Sequence, residues 1–296
     1  MLLTWNELDG DRLFSPKLWK GLSPPGTGLF QTPSGNPAVG AFDDFVGFGG
    51  TLSTNTGSYY SGLNRYISYQ TASTLLTNVA LTPTPASVAP TSIGAIIFQP
   101  AAGIVDNDQT SLQWGGHELT PYGCFPFAVI PGMSKDLVFE CRFKVSAITD
   151  NLGDLFLGLA GAAGVAPAAS AVPITQTADT MATTVSHIGF HKLSGDGDKI
   201  DLSYERASGT VTAKADVGTL VADTYIKAGF QWDSHRKVLT PWIDGVEITA
   251  SACSAATTAA TPWPNDYMTP VLASMQVDGT TALTMTVDWW ACAQYV

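Results

Sequence analysis

A chain of 296 residues with 25 acidic against 14 basic side chains carries a net charge of −11, which opposes docking on nucleic-acid phosphates or on anionic lipid. Charged residues make up 13% of the chain, well below the usual ~25%, so its surface is neutral and polar, rich in Gly, Ala, Ser and Thr. The length allows one large β-sandwich with a substantial core.

The opening MLLTWNELDGDR brings in Asn6, Glu7 and Asp9 at once and lacks the apolar stretch of a secretory signal. Residues 1 to 41 have no sustained period. Trp5, Leu13, Phe14, Leu18, Trp19 and Phe30 stand between Pro16, Pro24, Pro25, Pro33 and Pro37, which fix extended or turn geometry and forbid a continuous helix. The segment reads as an extended N-terminal arm whose few apolar residues order on a partner. Trp5, Phe14, Leu18, Trp19 and Phe30 are the candidate partner contacts. The competing reading is an edge strand supplied to the chain's own sandwich.

From Phe42 to Val296, short alternating runs recur between turn clusters, the pattern of an antiparallel sandwich. The pattern is weakest over 50 to 92, where Ser, Thr and Pro dilute it. LVFECRFKV places Leu137, Phe139, Cys141, Phe143 and Val145 on one face and Glu140, Arg142 and Lys144 on the other, a period of two. Leu155 to Ile174 is uncharged and long enough for a bilayer. Its glycines, prolines and alanines suit a helix poorly, so it reads as a strand running into a neutral loop over about 161 to 184, longer than loops usually are. Further strands are expected at Asp154 to Leu159, Val185 to Leu193, Lys199 to Arg206, Thr210 to Asp216, Tyr225 to Trp232, Val238 to Ile243, Met268 to Val277 and Ala282 to Cys292. Cys124, Cys141, Cys253 and Cys292 form no CxxC pair and read as reduced and mostly buried.

Within this series, YIKAGFQWD turns at Ser234 and His235 into KVLTPWIDG, and Asp244-Gly245 reverses the chain into VEI. That order resembles the second half of a concanavalin A-like jelly roll. With DNDQTSLQW at 106 to 114 and KDLVFECRFKVSAITDNLGDLFLGLA at 135 to 160, the chain from 42 to 296 is similar to concanavalin-like proteins in the virions of tailed bacteriophages. The resemblance implies an all-β, antiparallel two-sheet jelly-roll sandwich carrying an extended arm. It also implies a non-enzymatic virion structural protein of the capsid decoration or cement type, assembled in the host cytoplasm. Its partners would be the major capsid protein and copies of itself, a homotrimer being one arrangement that suits local threefold axes. Because the architecture also hosts lectins and glucanases, the alternative is a glycan-binding module of a phage fibre or tail.

The glycosidase branch of that superfamily carries Glu-x-Asp-x-Glu along one strand, which gathers acids over a single sugar ring. From Glu140 the corresponding series reads Glu140, Arg142, Lys144. DLSYE aligns Asp201, Ser203 and Glu205 but lacks the central acid, and reads as a solvent-facing side opposite Ile200, Leu202 and Tyr204. There is no G-x-S-x-G elbow, P-loop or dinucleotide fingerprint, so neither an enzyme nor a cofactor is expected.

His187 and His191 would converge on a helix, but on a strand their Cα atoms lie about 13 Å apart and cannot easily share one ion. They read as ordinary exposed or hydrogen-bonded histidines. Asp106, Asn107 and Asp108, or Asp196, Asp198 and Asp201, could supply some oxygens to a structural calcium, although turn formation explains the same residues. Trp232, Trp242, Trp263, Trp289 and Trp290 could stack on sugar rings. Alternation sends one of Trp289 and Trp290 inward, and Trp232 and Trp242 would support a scaffold hairpin if their register matches.

Overall fold

In a computed structural model of the chain, the period-two segments pair into two antiparallel sheets. The structure describes residues 95–98, 109–115, 127–131, 135–161, 173–175, 180–252, 263–277 and 283–295 almost throughout. It also describes parts of 14–19 and the strands between 30 and 70, the latter by backbone alone except for 40–43, Phe45 and Tyr66.

The strands are β1 (Phe30–Gln31), β2 (Pro37–Asp43), β3 (Gly49–Ser53), β4 (Thr56–Ser61), β5 (Asn64–Gln70), β6 (Ile96–Phe98), β7 (Gln109–Trp114), β8 (Phe127–Val129) and β9 (Leu137–Val145). They continue with β10 (Gly153–Gly161), β11 (His187–Lys192), β12 (Lys199–Glu205), β13 (Thr212–Thr219), β14 (Ile226–Asp233), β15 (Val238–Ile243), β16 (Val246–Glu247), β17 (Asp266–Gln276) and β18 (Met285–Tyr295). One sheet runs β1-β2-β18-β9-β14-β15-β16 with β6 beside β18; the other runs β13-β12-β11-β10-β17-β7-β5-β4-β3 with β8 beside β17. No helix among the described residues is long and apolar enough to cross a membrane, and Leu155 to Gly161 lie within β10.

The β14–β15 hairpin and the turn after it follow the expected course. Asp244 and Gly245 take φ of 48° and 77°, the paired positive values that a tight primed turn requires. The Asp244 carboxylate then accepts the Lys227 amide at 2.8 Å. Trp232 pairs with Leu239, however, and Trp242 with Gly229. The two indoles therefore leave opposite faces of the hairpin and make no cross-strand pair.

Between the sheets, Phe139, Phe143 and Phe230 meet Leu155, Leu157, Phe190, Leu202 and Tyr204 in one buried cluster. Phe139 stacks on Phe230 at 5.3 Å, and Phe190 reaches Phe230 from the opposite sheet at 6.2 Å. Each such side chain contributes about 1.5–3 kcal/mol on leaving water. A polar chain also crosses this core: Trp290 Nε1 donates to the Tyr66 hydroxyl at 3.0 Å, which donates to Asp43 at 2.6 Å. Asp43 and Trp290 belong to one sheet and Tyr66 to the other, so the hydrogen bonds lock the sheets in register.

The expected boundary between arm and body, at 41/42, falls inside a strand, because Pro37–Asp43 pairs with β18. Nor is the charged face of β9 solvated. Glu140 and Arg142 are both buried. Leu18 and Trp19 lie over that side of the sheet, packed with Val138, Trp242, Ala291 and Ala293. Glu140 accepts the Ser15 hydroxyl, the Ser15 amide at 3.1 Å and Trp19 Nε1 at 2.6 Å. Burial pushes its carboxyl above the ordinary range, opposed by these hydrogen bonds and by the charge of Lys227. Arg142 pairs with Asp288 at 2.6 Å and lies 4.0 Å from the centre of the Tyr225 ring.

Asp288 sits at a β-bulge in β18, where the register with β9 shifts between Val287 and Trp289. The extra residue changes which parity faces inward: Met285 and Val287 precede it in the core, Trp290 and Cys292 follow it there. Trp289 is left on the outer side, 4.8 Å from Phe14. Cys141 and Cys292 are free and buried; Cys124 and Cys253 lie outside the described residues.

Candidate functional site

The outer side of the ten-stranded sheet gathers most of the singled-out polar residues. Alternation along β11 sends Ile188 and Phe190 into the core and His187 and His191 outward; along β12 it sends Ile200, Leu202 and Tyr204 inward and Asp201, Ser203 and Glu205 outward. The strands pair antiparallel with His187 opposite Glu205 and His191 opposite Asp201. The expected sides are therefore the observed sides.

The expected solvation is not observed. His187, Ser203 and Glu205 are fully buried, and His191 is 4% exposed. Residues of 173–175 and 180–186 lie over the sheet, where Ile174, Met181, Ala182 and Val185 pack on Phe156, Ala160, Val271, Ala273 and Met275. Thr183 accepts the Ser208 amide at 2.7 Å and the Ser186 hydroxyl accepts the Ala207 amide at 3.0 Å, which holds the turn after β12 against the same cover. Sequence alone hid this role of Ile174, Met181, Ala182 and Val185, since residues that cap a sheet face look like residues that leave it.

The buried groups fall into two neighbouring sets. In the first, His187 Nδ1 lies 3.1 Å from the Val185 carbonyl, which can only accept, so Nδ1 carries the proton. Its Nε2 is then the acceptor for the Ser203 hydroxyl at 3.2 Å. Burial lowers the pKa of His187 to about 4, keeping the ring neutral. A hydroxyl donating to a neutral imidazole is the pairing that activates a nucleophile, but here both partners lie beneath the cover. Glu205 has no hydrogen-bond partner for either oxygen, and burial raises its pKa to about 7.

In the second set, His191 Nε2 stands 3.8 Å from Asp201 Oδ2. Asp201 and Asp196 join it, the latter from the 3₁₀ turn Ser194–Asp196, with one candidate ligand atom from each residue lying within 4.8 Å of the other two. Burial, and then the charge of His187, hold the pKa of His191 at about 3. Asp201 is raised by burial first and by the nearby charges of Asp196 and Asp216, against the hydrogen bond from the Asp216 amide. Asp198, expected alongside Asp196 and Asp201, instead pairs with Lys199 at 3.1 Å. His187 and His191 face the same side without sharing a partner. Asp106, Asn107 and Asp108 lie outside the described residues.

The aromatic candidates are packed. Trp232 stacks on Trp263 at 4.2 Å, Trp290 is in the core, and Trp242 and Trp289 are buried on the outer side of the other sheet. Of the expected partner contacts, Leu18 and Trp19 are buried on the chain's own sheet, with Phe14 between Trp19, Phe42 and Trp289 at 5.2, 5.4 and 4.8 Å. Phe30 lies in β1 with only its backbone course described, and Trp5 lies outside the described residues.

Among solved structures, the seed lectin of Lotus tetragonolobus superimposes with a TM-score of 0.50 at 10% identity, covering 87% of this chain and 99% of the lectin. The fold is the concanavalin A-like lectin and glucanase jelly roll. Endo-1,3-beta-glucanase from Streptomyces sioyaensis aligns at 13% identity over 93% of this chain and 99% of its own, with a TM-score of 0.49. Lectin II from Ulex europaeus aligns at 12% identity over 86% and 98%, with a TM-score of 0.48. No family model and no curated protein matches the chain. On its concanavalin A-like frame both sheets carry residues of the chain's own on their outer sides, Leu18 and Trp19 on one and Ile174, Met181, Ala182 and Val185 on the other.

Proposed function

We propose that this chain is a non-enzymatic virion structural protein of the phage capsid decoration type, binding neighbouring capsid subunits and copies of itself. The observation that carries the reading is the commitment of the aromatic side chains to packing. Every described tryptophan is buried except Trp114, which is partly buried against the core. A sugar-stacking platform needs such rings in the open beside polar groups. The phage resemblance and the sparse charge of the chain, 13% of its residues, support adhesion between protein surfaces instead. The test is reconstitution: purified protein added to particles of the encoding phage that lack it. Saturable occupancy at regular lattice positions is the expected result, and failure to bind overturns the proposal.

A second reading, a glycan-binding module, draws on the fold shared with the Lotus seed lectin and on Tyr267, which is 50% exposed. A glycan array probed with and without calcium separates the two. Specific binding that Tyr267→Ala abolishes would favour the lectin-like reading.

A further inference from the structure

Four observations converge on the outer end of the β11–β12 hairpin. His191 is 4% exposed, its Nδ1 has no partner, and its Nε2 stands beyond hydrogen-bonding distance of Asp201 Oδ2, at 3.8 Å. A buried imidazole without a hydrogen bond is costly to keep. Asp201 and Asp196 supply carboxylates to the same point, within 4.8 Å.

Both carboxylates are also oriented in advance. Asp196 Oδ2 accepts the Leu193 amide at 2.7 Å, and Asp201 Oδ1 accepts the Asp216 amide at 2.8 Å. Each anchored carboxylate keeps a second oxygen available, and Asp201 turns that oxygen toward His191. This outer-shell anchoring is what fixes metal ligands in place.

We propose that His191, Asp196 and Asp201 bind a divalent first-row transition cation, for which Zn²⁺ is the probe. Zinc takes imidazole nitrogen and carboxylate oxygen at about 2.0–2.2 Å, so adjacent tetrahedral ligand atoms lie roughly 3.4 Å apart. The 3.8 Å separation of Nε2 and Oδ2 closes to that value with a small side-chain adjustment. Calcium demands six to eight oxygens, whereas this site offers one nitrogen and two carboxylates. Asp196 and Asp201 are only partly buried, which leaves a side open for entry and for a water as fourth ligand. A bound cation would staple the 3₁₀ turn to both strands and offset the mutual repulsion of Asp196, Asp201 and Asp216.

The full chain, stripped with EDTA and dialysed, is titrated with ZnCl₂ by calorimetry and, in parallel, with CaCl₂. One Zn²⁺ per chain is expected, with affinity falling about 100-fold or more on His191→Gln or Asp201→Asn, since each removes one of three ligands. His235→Gln, at an exposed turn, leaves it unchanged. Circular dichroism establishes that each variant is folded. The Co²⁺ visible spectrum gives an independent readout, expected to change from a tetrahedral to a weak octahedral form in His191→Gln. Absence of Zn²⁺ binding, binding that survives His191→Gln, or tighter binding of Ca²⁺ than of Zn²⁺ would each overturn the proposal.

Discussion

Glu205 shows how position within a strand and environment can diverge. Its place on β12 follows from alternation, yet it lies fully buried with neither oxygen hydrogen-bonded. Its pKa rises from 4.5 to about 7 through burial. Below the unfolded value the carboxyl is protonated in both states and nothing is lost. Between 4.5 and about 7 the unfolded chain ionises while the fold retains its proton, so this residue's contribution declines as pH rises, and then levels off. His187 and His191 act oppositely. Their folded values of about 4 and 3 remove stability as pH falls from 6.5. The urea midpoint of Glu205→Gln relative to the parent chain is therefore expected to increase from pH 4.5 to 7.5. A difference that stays constant with pH would contradict the assignment.

At the scale of elements, Ser15, Leu18 and Trp19 work as a strap on the chain's own sheet. Its hold on the sheet is polar as well as apolar: Glu140 takes three hydrogen bonds from Ser15 and Trp19 while Leu18 packs beside Trp242. Trp19→Phe keeps an aromatic ring but deletes the donor at 2.6 Å. Hydrogen bonds to charged groups contribute about 1.5–3 kcal/mol, so a loss of about 2 kcal/mol is expected in denaturant unfolding. Double substitution with Glu140→Gln should cost less than the sum of the two single changes, because the bond is shared.

The strap was only half legible in the sequence. Trp19 and Leu18 are visibly anchors among prolines, but period and composition do not say whether an anchor meets its own sheet or another molecule's. Strands β9, β14 and β15 were readable because one apolar face alternates with turn residues at the ends. The pairing of His191 with Asp201 was hidden, since it depends on cross-strand register, which the hairpin fixes only once its turn is known. The inward choice of Trp290 over Trp289 was hidden for the same reason, resting on one extra residue at Asp288.

For the whole molecule, the decisive connection is between distant parts of the chain. β18 lies between β2 and β9, so residues 290–295 pair with 38–43 on one side while 285–294 pair with 137–145 on the other. Deleting residues 285–296 removes the strand between them and exposes the ladders of both neighbours. The shortened protein is expected to show no cooperative unfolding in calorimetry; a sharp transition near the parent temperature would contradict this role for the strand. The placement also sets an order of events during synthesis. A ribosome must deliver β18 before β2 and β9 can be joined through it, so until that strand emerges the sheet stays unzipped between them, and chaperones have that interval in which to guard it.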